Sequence, residues 1–337
     1  PKPDPRNLMG CQLWDSRFRP DNQSGRYSPD RILYCTSNGN FRELDVCGSN
    51  LVSRNHHCSR NAESVSACWN GIGLVAYISE GMAYLSVWES EEYSRVKLPG
   101  KALQVSVHTF GIMYRCNSGE VFMNTWDQIK TPGTPEDPRK ISPGDVLIRY
   151  MTAGTTSGLM VTDKGKLLLA FSRIGSQSEF PETVAEIDVP YGFKVRYVNA
   201  CYNGIILNDS LDKFLFMNGW DGFRQYLKCD GMSRVREEPV IIPLPQSFSQ
   251  YDPVIDITPF GPYWLILNST GHVYCCEGSS NDSGPPSGLA LVTGVNDVKS
   301  ICGSFFFAED GSIFSLKITR EGDLYHKSVD LFHDKLR

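Results

Sequence analysis

Val298-Lys-Ser-Ile-Cys-Gly-Ser-Phe-Phe-Phe-Ala-Glu-Asp-Gly-Ser-Ile-Phe314 decides the fold. A β-branched start, a small-residue step, a run of three aromatics, an acidic-Gly pair and a second apolar pair make one strand followed by a β-hairpin. Gly311 supplies the positive φ of a tight turn, and the flanking aromatic and β-branched residues suit a pleated surface. The same nine-residue hairpin recurs along the chain. It is found at 73–81, 111–119, 157–165, 204–212 and 263–271, and in a weaker form at 32–39. The apolar runs are continuous over three or four residues, so each strand has both faces covered and lies inside stacked sheets.

The turn residues fall at 39, 81, 119, 165, 212, 271 and 311, a repeat of 38 to 59 residues. Hairpins at this period are the signature of propeller blades. Further strands precede several hairpins, as in Val195-Arg-Tyr-Val198, Val254-Ile-Asp-Ile257 and Val298-Lys-Ser-Ile301. An outer strand after each hairpin completes four per blade. The expected fold is therefore all-β, a seven-bladed β-propeller of four-stranded blades occupying residues 1–337 as one domain. Trp-acid pairs recur beyond the hairpins at Trp88, Trp126 and Trp220, and Trp14-Asp15 has no hairpin before it. Met9–Trp14 is accordingly expected to close the ring as the outer strand of the C-terminal blade. The chain begins at Pro1 rather than Met and is expected to be a processed chain or a piece of a longer protein.

With these segments in hand, the repeat resembles the regulator of chromosome condensation family, most closely over Val254–Tyr274 and Val298–Phe314. The resemblance covers about residues 30 to 316 and rests on the sevenfold recurrence. It implies a seven-bladed propeller. From the family's founding member it also implies guanine nucleotide exchange on a small GTPase and docking on nucleosomes. The family's recurring His is replaced here by Gly73, Gly111, Ser157, Gly204, Tyr263 and Gly303. The Trp-acid pairs also resemble tryptophan-aspartate repeats, whose turn-to-Trp distance is longer.

Composition narrows the function. A net charge of −5 from 33 Lys+Arg and 38 Asp+Glu lacks the cationic field that direct nucleic acid binding draws on. No apolar run has the length of a membrane span. The chain has six His and no Gly-x-Ser-x-Gly, His-Glu-x-x-His or phosphate-cradling motif, so no catalytic residue, cofactor or metal is expected. Cys47, His56, His57 and Cys58 are zinc-type ligands in no finger spacing. Cys275 and Cys276 should point to opposite faces of a strand. The eleven cysteines sit mostly in apolar runs, which points to cytoplasm or nucleus. Sequons at Asn22, Asn208, Asn268 and Asn281 keep open a secreted or cell-surface recognition propeller.

The expected function is a non-enzymatic scaffold that presents the propeller rim and inter-blade loops to a protein partner. The interval from Asp212 to Gly271 is the longest, and the extra residues hold Trp220, Phe223, Arg224, Tyr226, Arg234 and Arg236. Aromatic and Arg side chains dominate binding hot spots, so these six are the candidate partner-binding residues. Four glycines ahead of the hairpin strands, Gly73, Gly111, Gly204 and Gly303, are expected at a crowded axis.

Overall fold

The computed structural model describes residues 10–12, 31–35, 41–47, 50–56, 64–70, 72–87, 93–108, 111–129, 136–153, 157–174, 177–179, 184–200, 204–209, 213–218, 239–245, 248, 253–260, 263–277, 288–302, 305–310, 312–318 and 324–328. Among these the strands form seven antiparallel sheets, every one meandering in chain order. The first contains Gly10–Gln12, Arg31–Cys35, Phe41–Cys47 and Asn50–His56. The second contains Ser64–Asn70, Ile72–Ser79, Met82–Val87 and Ser94–Arg95. In the third are Ala102–His108, Gly111–Cys116, Val121–Thr125 and Arg139–Lys140. The fourth has Ile148–Ala153, Ser157–Thr162 and Leu167–Ile174, whose two ends pair with Gln177–Glu179 and Ala185–Ile187. The fifth holds Val195–Ala200, Gly204–Asp209, Phe214–Asn218 and Val240–Ile242. Val254–Phe260, Tyr263–Asn268, Val273–Glu277 and Ala290–Leu291 build the sixth, and Val298–Cys302, Phe305–Ala308, Ile313–Ile318 and Leu324–Ser328 the seventh.

Each hairpin read from the sequence joins the second and third strands of a sheet. Two turn types account for the glycines. Glu80 and Gly81 both have positive φ, +52° and +74°, and close a two-residue loop between Ser79 and Met82. Gly119, Gly165 and Gly271, at +80°, +76° and +83°, end three-residue loops instead. There the residue opening the turn bonds the residue four on through the backbone, and in two cases also through its side chain. Lys166 N donates to Thr162 Oγ1 at 3.0 Å, and His272 N to Asn268 Oδ1 at 2.8 Å.

Continuous apolar runs have the expected physical cause. Along the second strand of the third sheet, Ile112, Tyr114 and Cys116 pack with Leu74, Ala76 and Ile78 of the second sheet, while Met113 packs with Met151 and Met160 of the fourth. The sixth sheet repeats this: Trp264 and Ile266 face the fifth sheet, Leu265 and Leu267 the seventh. Alternate side chains thus enter two separate inter-sheet cores, and each buried Leu- or Ile-sized side chain contributes about 1.5–3 kcal/mol. Cys276 and Cys275 fall into these same two cores, on opposite faces as expected.

The N-terminal strand is placed differently from the expectation. Gly10–Gln12 pairs with Arg31–Cys35 as the first strand of the first sheet, and it contacts Val298–Cys302, the first strand of the seventh. The seventh sheet has its own fourth strand, Leu324–Ser328, paired with Ile313–Ile318. With that edge occupied, no position remains for Met9–Trp14 as an outer strand. Of the Trp-acid pairs that prompted the assignment, the described one, Trp126-Asp127, follows the third strand of its sheet: Trp126 comes after Thr125 and opens the short helix Trp126–Ile129. Trp14, Trp88 and Trp220 lie outside the described residues, as do His57 and Cys58.

Candidate functional site

The first strands stand side by side, each touching the first strand of the next sheet. Their polar side chains are largely consumed in crossing that gap. Ser66 Oγ accepts from Val107 N at 2.9 Å. Gln104 takes both backbone groups of Met151, donating Nε2 to the carbonyl at 2.8 Å and accepting from the amide at 3.3 Å. Arg149 Nη2 donates to the Val195 carbonyl, and Asn199 Nδ2 to that of Ile257. Four successive gaps are stapled by a side chain of one sheet on the backbone of the next. A second device repeats at the turn end, where a turn-glycine carbonyl accepts the first amide of the next sheet. Ala102 N bonds Gly81 O at 2.8 Å, Ile148 N bonds Gly119 O at 2.9 Å, Val195 N bonds Gly165 O at 2.9 Å and Val298 N bonds Gly271 O at 3.1 Å.

Close to these contacts, five successive first strands carry a bulge at their second residue. Leu103, Arg149, Arg196, Ile255 and Lys299 have no partner in the neighbouring strand, because the register shifts around each of them. A bulge turns one residue out of the pleat. Leu103 and Ile255 are accordingly 52% and 41% exposed, Arg149 is exposed, and Arg196 and Lys299 are half-buried. Lys299 pairs with Glu309 at 3.2 Å. Among the described residues neither Arg149 nor Arg196 has a carboxylate at ion-pair distance; Arg196 lies 5.1 Å from the Tyr197 ring centroid. Burial, and next the neighbouring charge of Arg196, hold the Arg149 guanidinium below its ordinary range.

The residues after the bulges form a second layer. Tyr150 and Tyr197 meet edge to face at 5.8 Å. Burial pushes the Tyr150 hydroxyl well up, with the Asp256 charge adding to the shift. Asp256 is pushed up to about 7 by burial, against the opposing hydrogen bond from Ile257 N at 2.8 Å. Among the described residues no three His, Cys, Asp or Glu side chains gather as a metal site would require. No described helix is long and apolar enough to cross a membrane.

The sequence did not single out the bulge residues, although a signal was present. Ile148-Arg-Tyr-Met, Val195-Arg-Tyr-Val, Val254-Ile-Asp-Ile and Val298-Lys-Ser-Ile each put two residues between apolar positions where a regular strand has one. All six expected partner-binding residues, Trp220, Phe223, Arg224, Tyr226, Arg234 and Arg236, lie outside the described residues. The stretch carrying them leaves Phe214–Asn218 at the end opposite the hairpin turns and rejoins at Val240–Ile242. Of the four sequons, two are described. Asn208 and Asn268 are 0% and 1% exposed, which leaves no room for a glycan in the folded chain.

Gly111 meets the expectation of crowding, from a different source. A Cβ there would lie 2.0 Å from the Asn124 carbonyl oxygen, so the crowding comes from the third strand of its own sheet rather than from across an axis.

Similarity to solved structures accords with this arrangement. Human WBSCR16 superposes with a TM-score of 0.59 at 14% identity, covering 88% of this chain and 85% of that one. Prp20p from Saccharomyces cerevisiae, the yeast RCC1, superposes at 0.54 and 12% identity, covering 81% and 78%. The chain has the fold of the RCC1-type β-propellers. The likeness extends to Hsv2 of Kluyveromyces marxianus, at a TM-score of 0.57 and 10% identity over 98% of both chains. No protein-family model and no curated protein sequence matches the chain. Its four-stranded antiparallel sheets match those of propeller folds, and the bulge residues lie at the turn-side end of the stapled first strands.

Proposed function

We propose that the chain is a non-enzymatic protein-interaction propeller, one domain of seven blades in a closed ring, acting inside the cell. Packing of Gly10–Gln12 against Val298–Cys302 supports a ring closed without strand exchange. The observation that carries the binding role is the division of labour on the inner strands. Ser66, Gln104 and Asn199 hold blade to blade, and Arg149 does so from a bulge position, whereas the other bulged residues are free of this task and bring two apolar and two cationic side chains to the exposed or half-buried end of the strands. A rigid ring with outward-aimed variable positions suits recognition of another surface. The long stretch that departs from Asn218 and rejoins at Val240 carries the further candidate partner-binding residues, Trp220, Phe223, Arg224, Tyr226, Arg234 and Arg236.

One observation favours a second reading, exchange on a small GTPase. The structure of Prp20p is described together with its binding to Gsp1p and histones, and this chain shares its fold. Absence of the family's recurring His supports the scaffold over the exchange factor. The test measures nucleotide release from a small GTPase alongside partner retention on the immobilised chain. Retention with unaccelerated release supports the scaffold; acceleration by catalytic amounts of the chain supports exchange.

A further inference from the structure

Arg149 and Arg196 come from adjacent blades at the same bulge position, beside each other at the turn-side end of the inner strands. Their charges face one another, and although the Asp163 charge acts on Arg149, no carboxylate among the described residues lies at ion-pair distance from either. Leu103 precedes them around the ring and Ile255 follows, both exposed, with Lys299 one blade further on. The order is apolar, cationic, cationic, apolar, cationic. Exposed Leu and Ile beside two Arg that lack an ion-pair partner form a surface where apolar area meets water and like charges repel.

We infer that this end of the inner strands is a docking surface for an acidic, apolar-studded segment of a partner protein, whose carboxylates engage Arg149 and Arg196 and whose apolar side chains cover Leu103 and Ile255. Arg presents a planar fork that matches a carboxylate bidentately. The flanking apolar residues select a peptide over a phosphate backbone, and the net charge of −5 disfavours a nucleic acid approaching the same site. The inference rests on the protein-binding reading and gives it a partner chemistry and a face.

Fluorescence polarisation on the full chain tests it with a dye-labelled peptide alternating Glu and Leu, the matching Lys-Leu peptide, a labelled single-stranded oligonucleotide, and inorganic phosphate as competitor. The Glu-Leu peptide should bind, the Lys-Leu peptide should not, and salt should weaken the complex. Arg196→Glu should weaken binding about tenfold or more, the loss of a charge-assisted bond. Arg196 staples no blade, so this variant should keep the wild-type β-sheet dichroism; Leu103→Ser/Ile255→Ser serves as a second, uncharged probe and should also weaken binding. Absence of Glu-Leu binding, binding unchanged in both variants, or tighter binding of the oligonucleotide or phosphate overturns the inference. A partner captured equally by wild type and Arg196→Glu, but lost in Arg224→Ala/Arg234→Ala, overturns this face and leaves the protein-binding reading standing.

Discussion

Gly271 is where the fold's two requirements on glycine coincide, and Gly271→Ala separates them. Its φ is +83°, and a Cβ would sit 2.9 Å from Asp297 Cα and Val298 N and 3.0 Å from Asp297 C, all backbone atoms of the next blade. The left-handed conformation costs an Ala about 1–2 kcal/mol. Displacing the next blade also stretches the 3.1 Å bond from Val298 N to Gly271 O, worth about 1 kcal/mol, before any strain in the shifted strand. The expected loss is thus about 2–4 kcal/mol. Gly192 is the internal control: φ is +65° with nothing within 4 Å, so Gly192→Ala carries the conformational cost alone, about 1–2 kcal/mol. Urea unfolding followed by dichroism, with equal slopes for all three proteins, should place Gly271→Ala below Gly192→Ala by about 1–2 kcal/mol. Equal losses would refute the claim that turn glycines lock one blade to the next.

Four further outcomes are expected. Gly111→Leu should lower the thermal midpoint more than Gly271→Ala does, because its Cβ falls 2.0 Å from the Asn124 carbonyl; an unchanged midpoint contradicts the crowding. The Asp256 carboxyl, raised to about 7 from an unfolded value near 3.8, binds more protons folded than unfolded between those values, so its contribution to stability falls as pH rises from about 4 to 7. Asp256→Asn should therefore stabilise the chain at pH 8, by about 1–3 kcal/mol once partial exposure is allowed for, and leave it little changed at pH 4, read from unfolding midpoints at both pH values. Deleting Pro1–Asp15 should lower the melting temperature, since the first sheet loses a strand and the seventh its neighbour, and an unaltered temperature contradicts closure through Gly10–Gln12. Phe223→Ala/Tyr226→Ala should reduce partner retention in a pull-down with the fold unchanged, and full retention removes those two residues from the site.

The hairpins were legible because their determinants are local: a positive-φ glycine and a three-residue apolar run specify turn and strand without reference to the rest of the chain. The placement of Gly10–Gln12 was not, because a three-residue strand has no pattern of its own and its partners, Arg31–Cys35 and Val298–Cys302, are set by tertiary packing. Short fourth strands such as Ser94–Arg95 and Arg139–Lys140 are silent for the same reason, and Arg139–Lys140 reads in sequence as part of a polar loop. The bulge ring was half legible. Val-Arg-Tyr-Val breaks the period of two, but that the same break recurs beside itself in five adjacent blades emerges only when the sheets are placed next to one another. The candidate residues from Trp220 to Arg236 were chosen on the length of their interval and on side-chain type, and the described residues establish only the strand ends between which their stretch runs.

The most direct test of the central claim is affinity capture from a native extract on the immobilised full chain, comparing wild type with Arg196→Glu and with Arg224→Ala/Arg234→Ala, each checked for wild-type dichroism. An interaction propeller predicts a saturable protein partner that wild type retains and at least one variant loses. No partner above background, or retention indifferent to both variants together with accelerated nucleotide release from a small GTPase, would contradict it.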